Sequence, residues 1–145
     1  METKKRILIA DDSEDVRKML AIYLSRNNGY EIEQAASPTE ALQKLADAEA
    51  SPRKFDLVIS DHTFNGSPLD GIDLLRRMHG RKQLAHVAFI LFSGEVEPAN
   101  PGNHLTARAL REGADAVFAK PLMDFGPFLK AIENVLSVKT GPCPH

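Results

Sequence analysis

The chain has 145 residues, 43% apolar and 26% charged, enough for one globular domain with a buried core. A net charge of −2 gives no general pull toward nucleic acid, and no apolar run approaches the about 20 residues that a membrane-spanning helix needs. The single cysteine, Cys143, cannot make an internal disulfide, which fits a reducing, cytoplasmic setting.

Lys4-Lys5-Arg6 reads as a solvated lead-in to a strand, and Arg6-Ile7-Leu8-Ile9-Ala10 as a short apolar strand buried on both faces. Ser13-Glu14-Asp15 then starts a helix, with acidic groups at the positive end of its dipole. Val16, Met19, Leu20, Tyr23 and Leu24 follow at helical spacing, and Asn27-Asn28-Gly29 ends the helix. Tyr30 to Ala35 alternates like a more exposed strand. Ser37-Pro38-Thr39-Glu40 opens a second helix carrying Ala41, Leu42, Leu45 and Ala48. Phe55 to Ser60 is a third strand, and a polar loop from Asp61 leads to a helix after Gly71 with Ile72, Leu75 and Met78.

Val87 to Phe92 is a fourth strand, ending at Ser93-Gly94. Glu95 to Asn103 is a Pro/Asn/Gly-rich loop, and Leu105 to Arg111 a helix that stops at Gly113. His104 reads as the start of that helix. Ala116 to Ala119 is a fifth strand ending at Lys120-Pro121, and the last helix carries Phe128, Leu129, Ile132, Val135 and Leu136. Residues 1–140 therefore form one domain, and 141–145 a frayed tail. Five rounds of strand then helix predict an α/β fold, an open parallel sheet covered on both faces.

Ligands of such sheets bind beyond the carboxyl ends of the strands. Here the first strand ends in Asp11-Asp12, the third in Asp61, the fourth in Ser93 and the fifth in Lys120. Taken singly, an aspartate there is a turn residue or helix cap, Ser93-Gly94 a turn, and Lys120 a solvated cation. Gathered on one edge they have a joint chemistry. Three adjacent carboxylates raise one another's pKa, and a divalent cation relieves the repulsion. Mg²⁺ suits few carboxylates, water and phosphate oxygens. A carboxylate can also attack phosphorus, and phosphoryl transfer needs positive charge around the moving oxygens.

The blocks Ile7-Leu8-Ile9-Ala10-Asp11-Asp12, Leu57-Val58-Ile59-Ser60-Asp61, Leu91-Phe92-Ser93-Gly94 and Ala119-Lys120-Pro121 resemble, in this order, those of bacterial response-regulator receiver domains. Gly113-Ala114-Asp115 is similar too. The resemblance implies a flavodoxin-like (βα)5 doubly wound sandwich with strand order 2-1-3-4-5. It implies that Asp61 is the phosphoacceptor. Asp12, Asp61 and the Thr63 backbone carbonyl would bind Mg²⁺, with Asp11 acting mainly through water. Ser93 would bond a phosphate oxygen, Lys120 would pair with the acceptor, and the Lys120–Pro121 bond would be cis. The donor would be a histidine kinase or histidine phosphotransfer protein, and the output a downstream protein partner, with no direct nucleic-acid or membrane contact. The chain would be a monomer or a weak dimer through the face of fourth helix, fifth strand and fifth helix.

This sequence departs from the family in places. Phe64-Asn65 stand where Met-Pro is usual, and Gly71 comes later after the acceptor, which indicates an insertion. The segment between Ser93 and Lys120 is also long, and the two extended loops are expected to control access to the site. Val117 replaces the usual aromatic switch, and Phe118 should lie on the opposite face, so activation is expected to be read through the loop after the fourth strand. His62 is expected to point away from the site. Two other functions fit less of the pattern: a small aspartate-nucleophile phosphohydrolase, and a non-phosphorylated scaffold of receiver fold. With no room seen for an appended output domain, a partner-directed switch, a phosphate shuttle and an excised part of a hybrid kinase all stay open.

Overall fold

The structure, a computed structural model, describes residues 4–96 and 104–140. Among them a parallel sheet is built from β1 (Arg6–Ala10), β2 (Glu31–Ala35), β3 (Leu57–Ser60), β4 (Ala88–Ser93) and β5 (Ala116–Ala119), in the order β2-β1-β3-β4-β5. The helices are α1 (Glu14–Asn28), α2 (Pro38–Glu49), α3 (Gly71–His79), α4 (His104–Arg111) and α5 (Phe125–Thr140). The expected doubly wound order is therefore present, with the chain reversing direction across the sheet between β1 and β3.

Strand alternation sorts the core into two layers. Leu8, Ala10, Val58, Phe89 and Leu91 pack with Leu45 of α2, Ile72 and Met78 of α3, and Leu105 and Ala109 of α4. Ile7, Ile9, Ile59, Ile90 and Phe92 pack with Leu20 and Leu24 of α1 and Phe128 and Ile132 of α5. The inner strands β1, β3 and β4 are covered on both sides, which is why they read as unbroken apolar runs. The edge strands β2 and β5 are mostly half-exposed. Val117 faces the first layer and Phe118 the second, where its ring meets Phe128 edge-on at 5.2 Å.

The helix starts follow the sequence signals. Ser13 Oγ accepts from the Val16 N–H, and Ser37 Oγ from the Glu40 N–H. Asp70 and Asp73 cap α3 reciprocally. One strand start moves by two residues for a physical reason. The third strand begins at Leu57 and not at Phe55, because the Asp56 carboxylate accepts the Arg6 N–H at 2.9 Å in place of a ladder carbonyl. Asp115 likewise accepts the Phe89 N–H just before β5, whose limits are those expected. The 3₁₀ turn Lys82–Leu84, which buries Leu84, has no signal in the sequence. Residues 97–103 of the long loop and the tail with Cys143 and His145 lie outside the described residues.

Candidate functional site

Asp11 and Asp12 follow β1, Asp61 follows β3, Ser93 closes β4 and Lys120 follows β5. Parallel pairing in register brings these ends to one edge. Ala10 pairs with Ser60, and Ser93 with Ala119. The Asp61 N–H donates to the Ala10 carbonyl at 2.9 Å, and the Lys120 N–H to the Ser93 carbonyl at 3.1 Å. The backbone thus locks each chemical residue to its neighbour.

Asp11, Asp12 and Asp61 each offer a carboxylate oxygen, and these atoms lie within 4.8 Å of one another. Lys120 reaches across from β5, its Nζ 2.5 Å from Asp11 Oδ2 and 3.0 Å from Asp61 Oδ2. Asp11 is buried; its other oxygen accepts from the Ser13 N–H. Asp61 keeps 13% of its side chain exposed, so the carboxylate is open to an incoming group. Its Oδ1 accepts from the His62 N–H at 2.6 Å. Asp12 Oδ2 accepts from the Asn65 N–H across the β3–α3 loop.

Burial raises the Asp11 carboxyl above its ordinary value, and the nearby Asp61 charge adds to this, against the pull of Lys120. For Lys120, burial opposes the charge, but the bonds and charges of Asp11 and Asp61 outweigh it and hold the ammonium firmly protonated. One ammonium faces three carboxylates, an imbalance that calls for further positive charge. An all-oxygen donor set of this size fits a small hard cation such as Mg²⁺.

Ser93 is buried, and its Oγ accepts from the Glu95 N–H at 3.1 Å. Thr63 lies on the exposed β3–α3 loop, and its hydroxyl donates to the Glu95 carboxylate. Glu95 was not singled out by the sequence. Its one signal is position, two past Ser93, which lets it bridge the two loops that border the site. His62 turns from the cluster toward Asp70, its Nε2 3.7 Å from that carboxylate. His104 is the first residue of α4. The Lys120–Pro121 peptide is cis.

Gly71 is set by close approach. Its N–H donates to the His62 carbonyl at 2.7 Å, and a Cβ there would lie 2.2 Å from the Asp61 carbonyl oxygen. In the loop before it, the Ser67 N–H donates to the Phe64 carbonyl and Gly66 takes φ +75°. Phe64 goes into the core.

A doubly wound parallel sheet with an acidic cluster and a lysine at its strand ends defines a class of phosphoacceptor fold. The response regulator receiver domain family matches residues 7–133 of this chain, and the chain belongs to that family. It is 31% identical over 140 residues to the phosphate regulon transcriptional regulatory protein PhoB of Pseudomonas aeruginosa, covering 95% of this chain and 54% of that protein. It is 29% identical over 136 residues to the two-component response regulator ORR4 of Oryza sativa subsp. indica, covering 83% of this chain and 55% of that protein. The chain thus spans about half the length of these curated relatives. Among solved structures, the signal receiver domain of an HD domain-containing protein from Pseudomonas fluorescens Pf-5 superposes with a TM-score of 0.77 at 30% identity, covering 97% of this chain and all of that one. The Vibrio cholerae chemotaxis protein CheY4 gives 0.72 at 26% identity, covering 92% and 99%. Receiver domains bind Mg²⁺ at an acidic cluster of this kind and interact with histidine kinases or phosphotransfer proteins. Among the described residues, no helix is long and apolar enough to cross a membrane.

Proposed function

We propose that Asp61 is the phosphoacceptor of a two-component or phosphorelay pathway. The observation that carries this reading is the convergence of Asp11, Asp12 and Asp61 within 4.8 Å, with Lys120 bonded across two of them. An Asp61 carboxylate oxygen attacks the phosphorus of a phosphohistidine on a histidine kinase or histidine phosphotransfer protein. A P–O bond forms and the P–N bond breaks. The imidazole leaves with the bonding pair and takes a proton from water, leaving an acyl phosphate on Asp61.

Asp11, Asp12, Asp61 and the Thr63 backbone carbonyl would hold Mg²⁺, which offsets charge on the phosphoryl oxygens when bound. Lys120 is charged and already faces Asp61, so it supplies a second positive centre. Ser93, at the end of the neighbouring strand, bonds a phosphoryl oxygen by giving up its contact with the Glu95 N–H. That exchange moves the start of the β4–α4 loop, where Val96 is buried in the core. The loop passes the change to a downstream protein partner by shifting a pre-existing equilibrium. The chemistry is self-catalysed transfer and loss of one phosphoryl group, with no separate substrate turned over.

Incubation with acetyl phosphate and Mg²⁺ followed by intact-mass measurement tests the assignment. Wild type gains one phosphoryl group and Asp61→Asn gains none. An equal gain in both would place the acceptor elsewhere.

A further inference from the structure

We infer that Arg17 is a positioning residue for the acidic pair: its guanidinium fixes the peptide from which Asp11 and Asp12 project. This rests on the reading of that pair as part of a Mg²⁺ site. Arg17 lies in α1 and turns back over the end of β1. Its Nη1 donates to the Asp11 carbonyl at 2.7 Å, and its Nε to the Gln34 side-chain oxygen on β2 at 3.3 Å.

The Asp11 carbonyl belongs to the peptide that joins Asp11 to Asp12. It lies just past the end of β1, where the sheet ladder stops providing donors. The rest of the segment is held from other sides. The Asp11 N–H donates to the Ala35 carbonyl at 3.0 Å, and the Ser13 N–H to Asp11 Oδ1 at 2.9 Å. Arg17 supplies the missing restraint with a charge-assisted bond, and the planar fork ties α1, β1 and β2 together at one point. Two carboxylates on adjacent residues give oxygens to one small cation when their shared peptide is held in one orientation.

Charge and geometry make opposite predictions here. By charge alone, a guanidinium beside a cation site repels the cation, so its removal would tighten Mg²⁺ binding. By positioning, its removal loosens the donors and weakens binding. Groups that orient metal ligands typically contribute about 10–100-fold in metal affinity.

The test is Mg²⁺ titration by calorimetry on the full chain as wild type, Arg17→Met and Arg17→Lys, with amide exchange of Asp11 and Ser13 measured in EDTA. Arg17→Met is expected to bind Mg²⁺ about tenfold more weakly, the lower end of that range. Arg17→Lys, which keeps the charge and one donor but not the fork, is expected to fall between the two. Exchange at Asp11 and Ser13 is expected to quicken in Arg17→Met without metal, while amides in β3 and β4 hold their protection. Arg81→Met, which breaks the bidentate pair with Glu49, controls for general loss of stability and is expected to leave Mg²⁺ affinity unchanged. Equal or tighter Mg²⁺ binding in Arg17→Met, with unchanged exchange, would overturn the inference. If wild type itself takes up no Mg²⁺, the reading of the metal site fails. The exchange data then decide the role of Arg17 alone, for it if acceleration is confined to Asp11–Ser13 and against it if there is none.

Discussion

Replacing Gly71 by alanine probes how tightly the acceptor backbone is packed. At the first turn of an ordinary helix, Gly→Ala stabilises by about 0.5–1 kcal/mol, because alanine loses less chain entropy on folding. Gly71 is not strained in φ, so nothing in its own backbone opposes the change. The opposition comes from outside. The new Cβ would lie 2.2 Å from the Asp61 carbonyl oxygen and 3.0 Å from the His62 Cα. Both are backbone atoms, so no rotamer change relieves the clash. Either α3 retreats, losing the 2.7 Å bond from the Gly71 N–H to the His62 carbonyl, or the Asp61 peptide is pushed aside. Overpacking of this kind costs about 1–3 kcal/mol, and the backbone contact puts this site near about 3. For a chain of this size that lowers Tm by roughly 6–12 °C, at about 2–4 °C per kcal/mol. Urea unfolding followed by circular dichroism reads the stability, and the acetyl phosphate assay at a temperature where both proteins are folded reads the displacement of Asp61. A Gly71→Ala protein as stable as wild type, or more so, would refute the close approach and with it this account of how α3 fixes the acceptor.

Lys120→Met leaves the buried Asp11 carboxylate without its cation. Metal-free stability is expected to fall by about 3 kcal/mol, the lower end of what breaking a buried pair costs, because Asp61 is partly exposed. Saturating Mg²⁺ is expected to recover most of this by mass action; an equal loss in urea melts with Mg²⁺ and with EDTA would refute it. Stability also depends on pH through Asp11. The folded state raises the Asp11 carboxyl above 3.8 through burial, so the folded chain binds that proton more tightly than the unfolded one. This group's contribution then falls as pH rises from its unfolded value through its raised folded value. In EDTA, Asp11→Asn is expected to gain on wild type as pH rises across that window, and Mg²⁺ is expected to cancel the gain. A difference between the two urea midpoints that stays constant with pH would sink the assignment.

The parts of this molecule that could be read from its sequence are those that the backbone places. A strand buried on both faces must be apolar throughout, so β1, β3 and β4 announce themselves, and the polar residue that ends each run falls on one edge as soon as the strands are parallel. Alternation likewise put Phe118 opposite Val117, and it packs on Phe128 as that rule requires. The strand order itself came from the likeness to a family; hydrophobic pattern alone does not separate one parallel order from another.

Contacts made by the reach of a side chain between elements left no periodic trace. Arg17 touching Asp11 and Gln34, and Glu95 touching Thr63, depend on loop paths that spacing does not encode. Asn65 steadies Asp12 through its backbone N–H, a group that every residue but proline carries. The loop after Asp61 shows the same division from the other side. In the sequence it sets Gly71 ten residues after Asp61. In the fold, Gly66 turns the chain, Phe64 anchors it in the core, and Gly71 still packs against the Asp61 carbonyl. The contact comes from geometry and not from spacing along the chain, because the Asp61 carbonyl leaves no room for a Cβ at that point in space.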